Sequence, residues 1–151
     1  MSPSLGRTVA IATGLVTTYV FAEMVYVIVR TPRLPPAAGA RKKDKGDNSV
    51  KLYCIGDSVA AGCGLKDHDV AMAGIHATAA EEQLDVEVSY EVYGKIGYTT
   101  RQIEKLCISR IPRSVSERPD IIVISTGVNN IIEAQSTERF RLELSSLLDT
   151  V

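Results

Sequence analysis

An acid and a hydroxyl stand side by side in Gly56-Asp57-Ser58, where the apolar run Val50 to Ile55 ends in a glycine-rich turn that continues to Gly64. A serine there is a candidate nucleophile, and a hydroxyl that attacks a carbonyl needs donors aimed at the oxyanion it creates. Two further segments offer such donors. Gly94-Lys95-Ile96-Gly97-Tyr98-Thr99 presents backbone N–H groups at glycine turns, and Thr126-Gly127-Val128-Asn129-Asn130 adds side-chain amides. The proton acceptor for such a serine is most often a histidine, and the chain has two, His68 and His76. Both read as exposed, one in a loop and one on a helix, and neither as the base. Taken singly, each glycine reads as a turn residue, Ser58 as a helix cap and Asn129 as an ordinary turn residue. Cys54, Cys63 and Cys107 lack metal-ligand spacing, so no metal and no cofactor are expected, and Cys54 and Cys107 read as buried thiols.

The elements that must position these segments alternate between strand and helix. Val50 to Ile55 is a strand, and Asp69 to Leu84 places Ala73, Ala77, Ala80 and Leu84 on one helical face. Val86, Val88, Tyr90 and Val92 alternate with polar neighbours, the period of a strand with one wetter face. Thr99 to Gln102 has the spacing of a capping box, and Ile103, Leu106, Cys107 and Ile111 form the stripe of the helix that follows, before Pro112 breaks it. Ile121 to Ile124 is continuously apolar, as in a parallel strand covered on both faces, and Ser136 opens a last helix with Phe140, Leu144, Leu147 and Leu148 in its stripe. Three βα units predict a parallel sheet with right-handed crossovers in the order 2-1-3, all three loops leaving its carboxyl edge. That order leaves the apolar third strand at an edge, which proteins normally protect. Further strands, or a partner chain, are expected there.

The amino-terminal part is different in kind. Residues 8–29 carry one charge, Glu23, and are long enough to cross a bilayer, at about 1.5 Å per residue against a core of about 30 Å. The organisation read from the sequence is a flank 1–7, a transmembrane anchor 8–30, a Pro/Lys-rich tether 31–49 and a globular domain 50–151. A cleaved secretory signal is the alternative for 8–30, with Ala37 to Ala40 at the cleavage site. Arg7 alone precedes the segment, whereas Arg30, Arg33, Arg41, Lys42, Lys43 and Lys45 follow it, which places the globule on the cytoplasmic side. Residues 1–49 hold seven Lys/Arg against three Asp/Glu, and residues 50–151 ten against fifteen. An acidic globule argues against nucleic-acid binding, and the basic tether can touch anionic lipid.

Gly56-Asp57-Ser58-Val59-Ala60-Ala61-Gly62 resembles the first block of the GDSL, or SGNH, hydrolases, the Gly94 to Thr99 segment their second and Gly127-Val128-Asn129-Asn130 their third. The order and spacing match over roughly residues 50–148. The resemblance implies a flavodoxin-like αβα fold and a serine esterase, with Ser58 as nucleophile and oxyanion donors from the Ser58 and Gly97 backbone and the Asn129 side chain. Gly56 and Asp57 would shape the turn. Asn130 stands where the family usually has Asp. The family also draws an Asp and a His from a last block, and no histidine follows Asn129. The chain is therefore expected to be a carboxyl-terminally incomplete version of a membrane-anchored esterase acting on small or lipid-like esters. Two rivals remain: a catalytically dead binding module, and a flavodoxin-like phosphate binder, against which stand the absent Gly-x-x-x-x-Gly-Lys-Ser/Thr pattern and the acid at Asp57.

Overall fold

A computed structural model describes residues 3–112, 114 and 117–151. The chain falls into two compact units, Met1–Arg33 and Leu34–Val151. The first is helix α1, Pro3–Arg30. Within it Gly6–Arg30 is long and apolar enough to cross a membrane, and its side chains are exposed throughout. The helix starts at Pro3 rather than residue 8, so residues 3–7 of the expected flank already belong to it; residues 1 and 2 lie outside the described residues.

The second unit is an α/β domain. Its elements are β1 Lys42–Lys43, β2 Val50–Gly56, α2 Met72–Leu84, β3 Val88–Gly94, α3 Thr100–Arg110, β4 Ile121–Ser125, α4 Val128–Ile132 and α5 Thr137–Thr150. The sheet order is β1-β3-β2-β4, with β3 and β4 parallel to the central β2 and β1 antiparallel to β3. The three parallel strands thus take the 2-1-3 order that the βα pattern predicts.

Side chains alternate between two cores, as the period of 2 along each strand requires. On one face Leu52, Cys54, Val88, Tyr90 and Val92 pack with Ala60 and with Ala73 and Ala77 of α2. A Cβ on Gly74 would fall on the carbonyl of Asp69, in the loop that leads into α2. On the other face Ile55, Tyr53 and Tyr93 meet Ile103 and Cys107 of α3 and Leu144 and Leu147 of α5. Helices on both faces complete three layers. Burial pushes the Cys54 thiol up to about 12 and the Cys107 thiol up to about 11, so both are inert as nucleophiles.

Four expectations need correction. Residues 34–49 are not a free tether: Ala37 is buried, Ala37 N donates to Ala61 O at 3.0 Å, Ala38 bridges Asp67, and Lys42–Lys43 adds a strand to the sheet. Proline and lysine content pointed to a solvated linker, but two lysines suit an edge strand, whose outward side is wet. His68 is not exposed but 1% accessible. Leu84 and Leu148 sit on predicted apolar stripes yet are 57% and 58% exposed. Leu84 ends α2 directly before the left-handed Asp85, and Leu148 is turned about 100° from Leu147, the residue that faces the core. Finally, Ile121–Ser125 is half-buried rather than covered on both faces, because β4 is the sheet's outer strand.

Candidate active site

Strand register assembles the three loops. Gly56 of β2 lies opposite Gly94 of β3 on one side and Ser125 of β4 on the other, so one row crosses the sheet at its carboxyl edge. Ser58 follows that row by two residues, Gly97 by three and Asn129 by four. The row is close-packed because two of its members lack side chains. A Cβ on Gly56 would collide with the Ser125 backbone, and one on Gly94 with the backbone of Ala60 and Ala61.

The loops are hydrogen-bonded to one another pairwise. Asp57 N donates to Ser125 O at 3.2 Å and Ser125 Oγ to Asp57 Oδ1 at 3.0 Å, tying the first loop to the third. Lys95 N donates to Gly56 O at 3.0 Å, tying the second to the first. Asn129 Nδ2 donates to Tyr98 O at 2.9 Å, tying the third to the second. Asp57 is buried, and its Oδ1 also accepts from Val59 N at 2.9 Å, which fixes the turn on which Ser58 sits. The Asp57 carboxylate thus holds the Val59 backbone and the Ser125 hydroxyl.

Ser58 is half-buried, and its hydroxyl makes no hydrogen bond among the described residues. Helical bonds Ala61 N to Asp57 O and Cys63 N to Ser58 O, each 3.0 Å, hold the turn behind it. Gly97 is exposed, with a φ of 80° that glycine alone adopts without strain, and open space around its Cα. Asn129 is half-buried and commits one of its two Nδ2 hydrogens to Tyr98 O, leaving the other available.

Asn130, by contrast, is an architectural residue. It is 2% exposed; its Oδ1 accepts from Thr100 N at 3.0 Å and Thr100 Oγ1 at 2.9 Å, and its Nδ2 donates to Gln135 Oε1 and, at 3.3 Å, to Glu143 Oε2. It thereby fastens the start of α3 and the body of α5 beneath the third loop. Burial would raise the Glu143 carboxyl, but the Gln135 hydrogen bond and the Arg139 guanidinium outweigh it and leave Glu143 below the usual range. An amide at 130 can donate to that carboxylate, which an aspartate could not.

Neither histidine bonds to Ser58. His76 is exposed on α2 and its Nδ1 donates to Met72 O at 2.7 Å. Among the described residues both ring nitrogens of His68 are buried without a partner, and burial first, then the positive charge of Arg41, holds its imidazole below the usual value. Among the described residues no group of three or more His, Cys, Asp or Glu could hold a metal.

The sequence pointed to Ser58, Gly97, Asn129, Gly56 and Asp57, and the sheet register brings their loops together. It missed Ser125, Tyr98, Thr100, Gln135 and Glu143. Ser125 ends an apolar strand next to Thr126, a polar pair that could have been read as a partner for the buried acid. The role of Tyr98 is carried by its carbonyl, which no side-chain pattern reveals.

The family model described as the GDSL-like lipase/acylhydrolase family matches residues 54–151. No curated protein matches the chain. Among solved structures, AlinE4, an SGNH-hydrolase family esterase, superposes with a TM-score of 0.59 at 23% identity, over 70% of this chain and 54% of that one. Two variants of the same esterase give TM-scores of 0.59 and 0.58 at 23% and 20% identity, with the same coverage. The chain spans about half the length of these esterases, and at this identity the likeness is one of fold.

Proposed function

Because the chain belongs to the GDSL-like lipase/acylhydrolase family, we propose that its second unit carries the nucleophile and oxyanion part of a carboxylic ester hydrolase site. Ser58 Oγ bonds to the ester carbonyl carbon while its proton passes to a general base. The carbonyl electron pair moves to oxygen, where the Ser58 and Gly97 N–H groups and the free Nδ2 hydrogen of Asn129 stabilise it. Collapse of this intermediate breaks the bond to the alcohol, which leaves with a proton from the base; water then releases the acid by the same steps. His76 is spent on Met72 O and His68 is buried with neither ring nitrogen bonded to Ser58, and in this reading the base is a histidine not contributed by residues 50–151.

One observation carries the reading: the Gly56, Gly94 and Ser125 row brings three loops to one sheet edge, bonded pairwise. The test is hydrolysis of a p-nitrophenyl ester by the chain alone and with an Asp/His-bearing segment supplied in cis or in trans. Ser58-dependent turnover that appears on supplementation is the expected result, and losing one oxyanion donor by Asn129→Ala should then lower it about 10²- to 10³-fold. If Ser58→Ala matches wild type under every condition, the hydrolase reading is wrong.

A binding module at a membrane is the second reading, favoured by the half-buried outer strand β4, which presents an unpaired apolar edge to a partner chain. It predicts capture of a partner strand with no Ser58-dependent chemistry. In either reading α1 anchors the chain in a single pass and the following cations keep the domain cytoplasmic. Protease protection of tagged termini in sealed vesicles separates that arrangement from export after signal cleavage.

A further inference from the structure

A hollow of about 270 Å³ opens where the start of β1, the end of β3 and the end of α3 meet, and its walls include Arg41, Lys42, Glu91, Tyr93, Lys95 and Arg110. Among the described residues that line it, four cations share the hollow with one carboxylate. That acid, Glu91, is already engaged by Lys42 at 3.0 Å and by the Tyr93 hydroxyl. The other three cations have no carboxylate. Arg41 Nη1 donates to Gly94 O at 3.3 Å, the Arg110 guanidinium lies 5.6 Å from the centre of the Tyr93 ring, and Lys95 makes no ion pair among the described residues. Two guanidiniums are thus positioned by uncharged groups and left unneutralised. They stand on a unit whose residues 50–151 carry ten Lys/Arg against fifteen Asp/Glu, so the positive charge is concentrated here against the run of the surface.

We propose that this hollow binds the phosphate of an anionic lipid headgroup; the inference rests on the membrane reading of α1 and is independent of the hydrolase reading. Oriented guanidiniums suit a phosphate, which accepts paired N–H bonds from their planar fork. Two features point to a bilayer rather than to a dissolved ion. Leu34, where the second unit begins, follows Arg30, the last residue of α1, by four positions, so at about 3.5 Å per residue a bilayer that α1 crosses is within reach of the domain. Lys95 is followed by Ile96, which is 53% exposed, and an apolar side chain next to a cation matches the boundary between headgroups and acyl chains. Lys95 N also donates to Gly56 O at 3.0 Å. A headgroup held by Lys95 therefore brings the carboxyl edge of the sheet to the lipid surface. Each cation near an anionic leaflet adds about fivefold in affinity, and the three without a carboxylate together add about a hundredfold.

The test is lysine acetylation of the full chain in nanodiscs of phosphatidylcholine alone and of phosphatidylcholine mixed with phosphatidylglycerol, each lysine being followed by mass spectrometry. Lys95 is expected to react about tenfold or more slowly in the anionic discs. Lys51, absent from the hollow, and Lys105, which lines a separate cleft between α3 and α5, should react equally in both. The difference at Lys95 should vanish at about 1 M salt, where the screening length is only about 3 Å. Arg110→Gln, at an exposed position, should shrink the Lys95 ratio about fivefold, and the lipid comparison itself needs no variant. Equal slowing at all three lysines, or no slowing at Lys95, overturns the proposal. So does protection of Lys95 by glycerol phosphate in neutral discs, which assigns the hollow to a soluble phosphate. Alkaline carbonate extraction from vesicles reports on α1 separately: a chain that resists extraction without Lys95 protection loses the headgroup site and keeps the anchor, and a chain that is extracted loses both.

Discussion

The two edges of the sheet are made of opposite material. At one, β1 is two residues long, both lysines; Lys42 pairs with Glu91 at 3.0 Å and Lys43 with Asp69 at 2.8 Å. Short, charged and antiparallel, it is an edge that discourages further pairing. At the other, β4 presents Ile121, Ile122, Val123 and Ile124 half-buried, the composition of an interior strand in an exterior position. Charge marks where a sheet closes, and branched apolar side chains mark where it is able to continue.

The largest effect should come where the row between the edges meets the Ser58 turn. Gly94→Val drives a side chain into the Ala61 backbone and should cost about 3 kcal/mol or more, read by urea denaturation. A smaller effect separates the edges themselves. Val92, 2% exposed on β3, should cost about 2 kcal/mol on truncation to alanine, whereas Ile124→Ala on half-buried β4 removes more carbon yet should cost only about 1 kcal/mol. Equal losses would mean that β4 is covered in solution.

Smaller again is a pH effect near the closed edge. The folded protein holds His68 below its ordinary value of 6.5, so the unfolded chain takes up the proton first. Stability attributable to His68 is full above that value and falls as the pH drops through the folded one. Denaturation midpoints should decline between pH 7 and pH 5, and His68→Leu should flatten that decline. Smallest of all, Lys42→Ala should leave the midpoint unmoved within error while lengthening the edge available for pairing, detectable by sedimentation as weak self-association.

Most of the architecture was legible because apolar periodicity reports which face of an element is buried, and two glycine-ended strands and a third followed by Thr126-Gly127 mark three loops at one sheet edge. Ser58, Gly97 and Asn129 were legible as types at the right spacing. What escaped has two physical sources. β1 lies in a stretch whose prolines and lysines are equally suited to a linker and to a wet edge, and only contact with β3 decides between them. The buried states of His68 and Asn130 depend on residues far away in sequence: Thr100 and Glu143 are 30 and 13 positions from Asn130. Stripe membership likewise failed at Leu84 and Leu148, because a helix's end and its exact rotation are set by what it packs against.

The position of β2 at the centre of the sheet carries a consequence for how the chain is made. Leu52 pairs with Ile121, so the central strand waits for one that emerges 69 residues later, roughly 3 to 14 s at about 5–20 residues per second. During that interval Leu52, Cys54 and Ile55, each 1% or less exposed in the finished domain, have α2, β3 and α3 against them but not the strand that closes their other side. Chaperone capture of the nascent chain should therefore peak after β2 leaves the ribosome and end when β4 does.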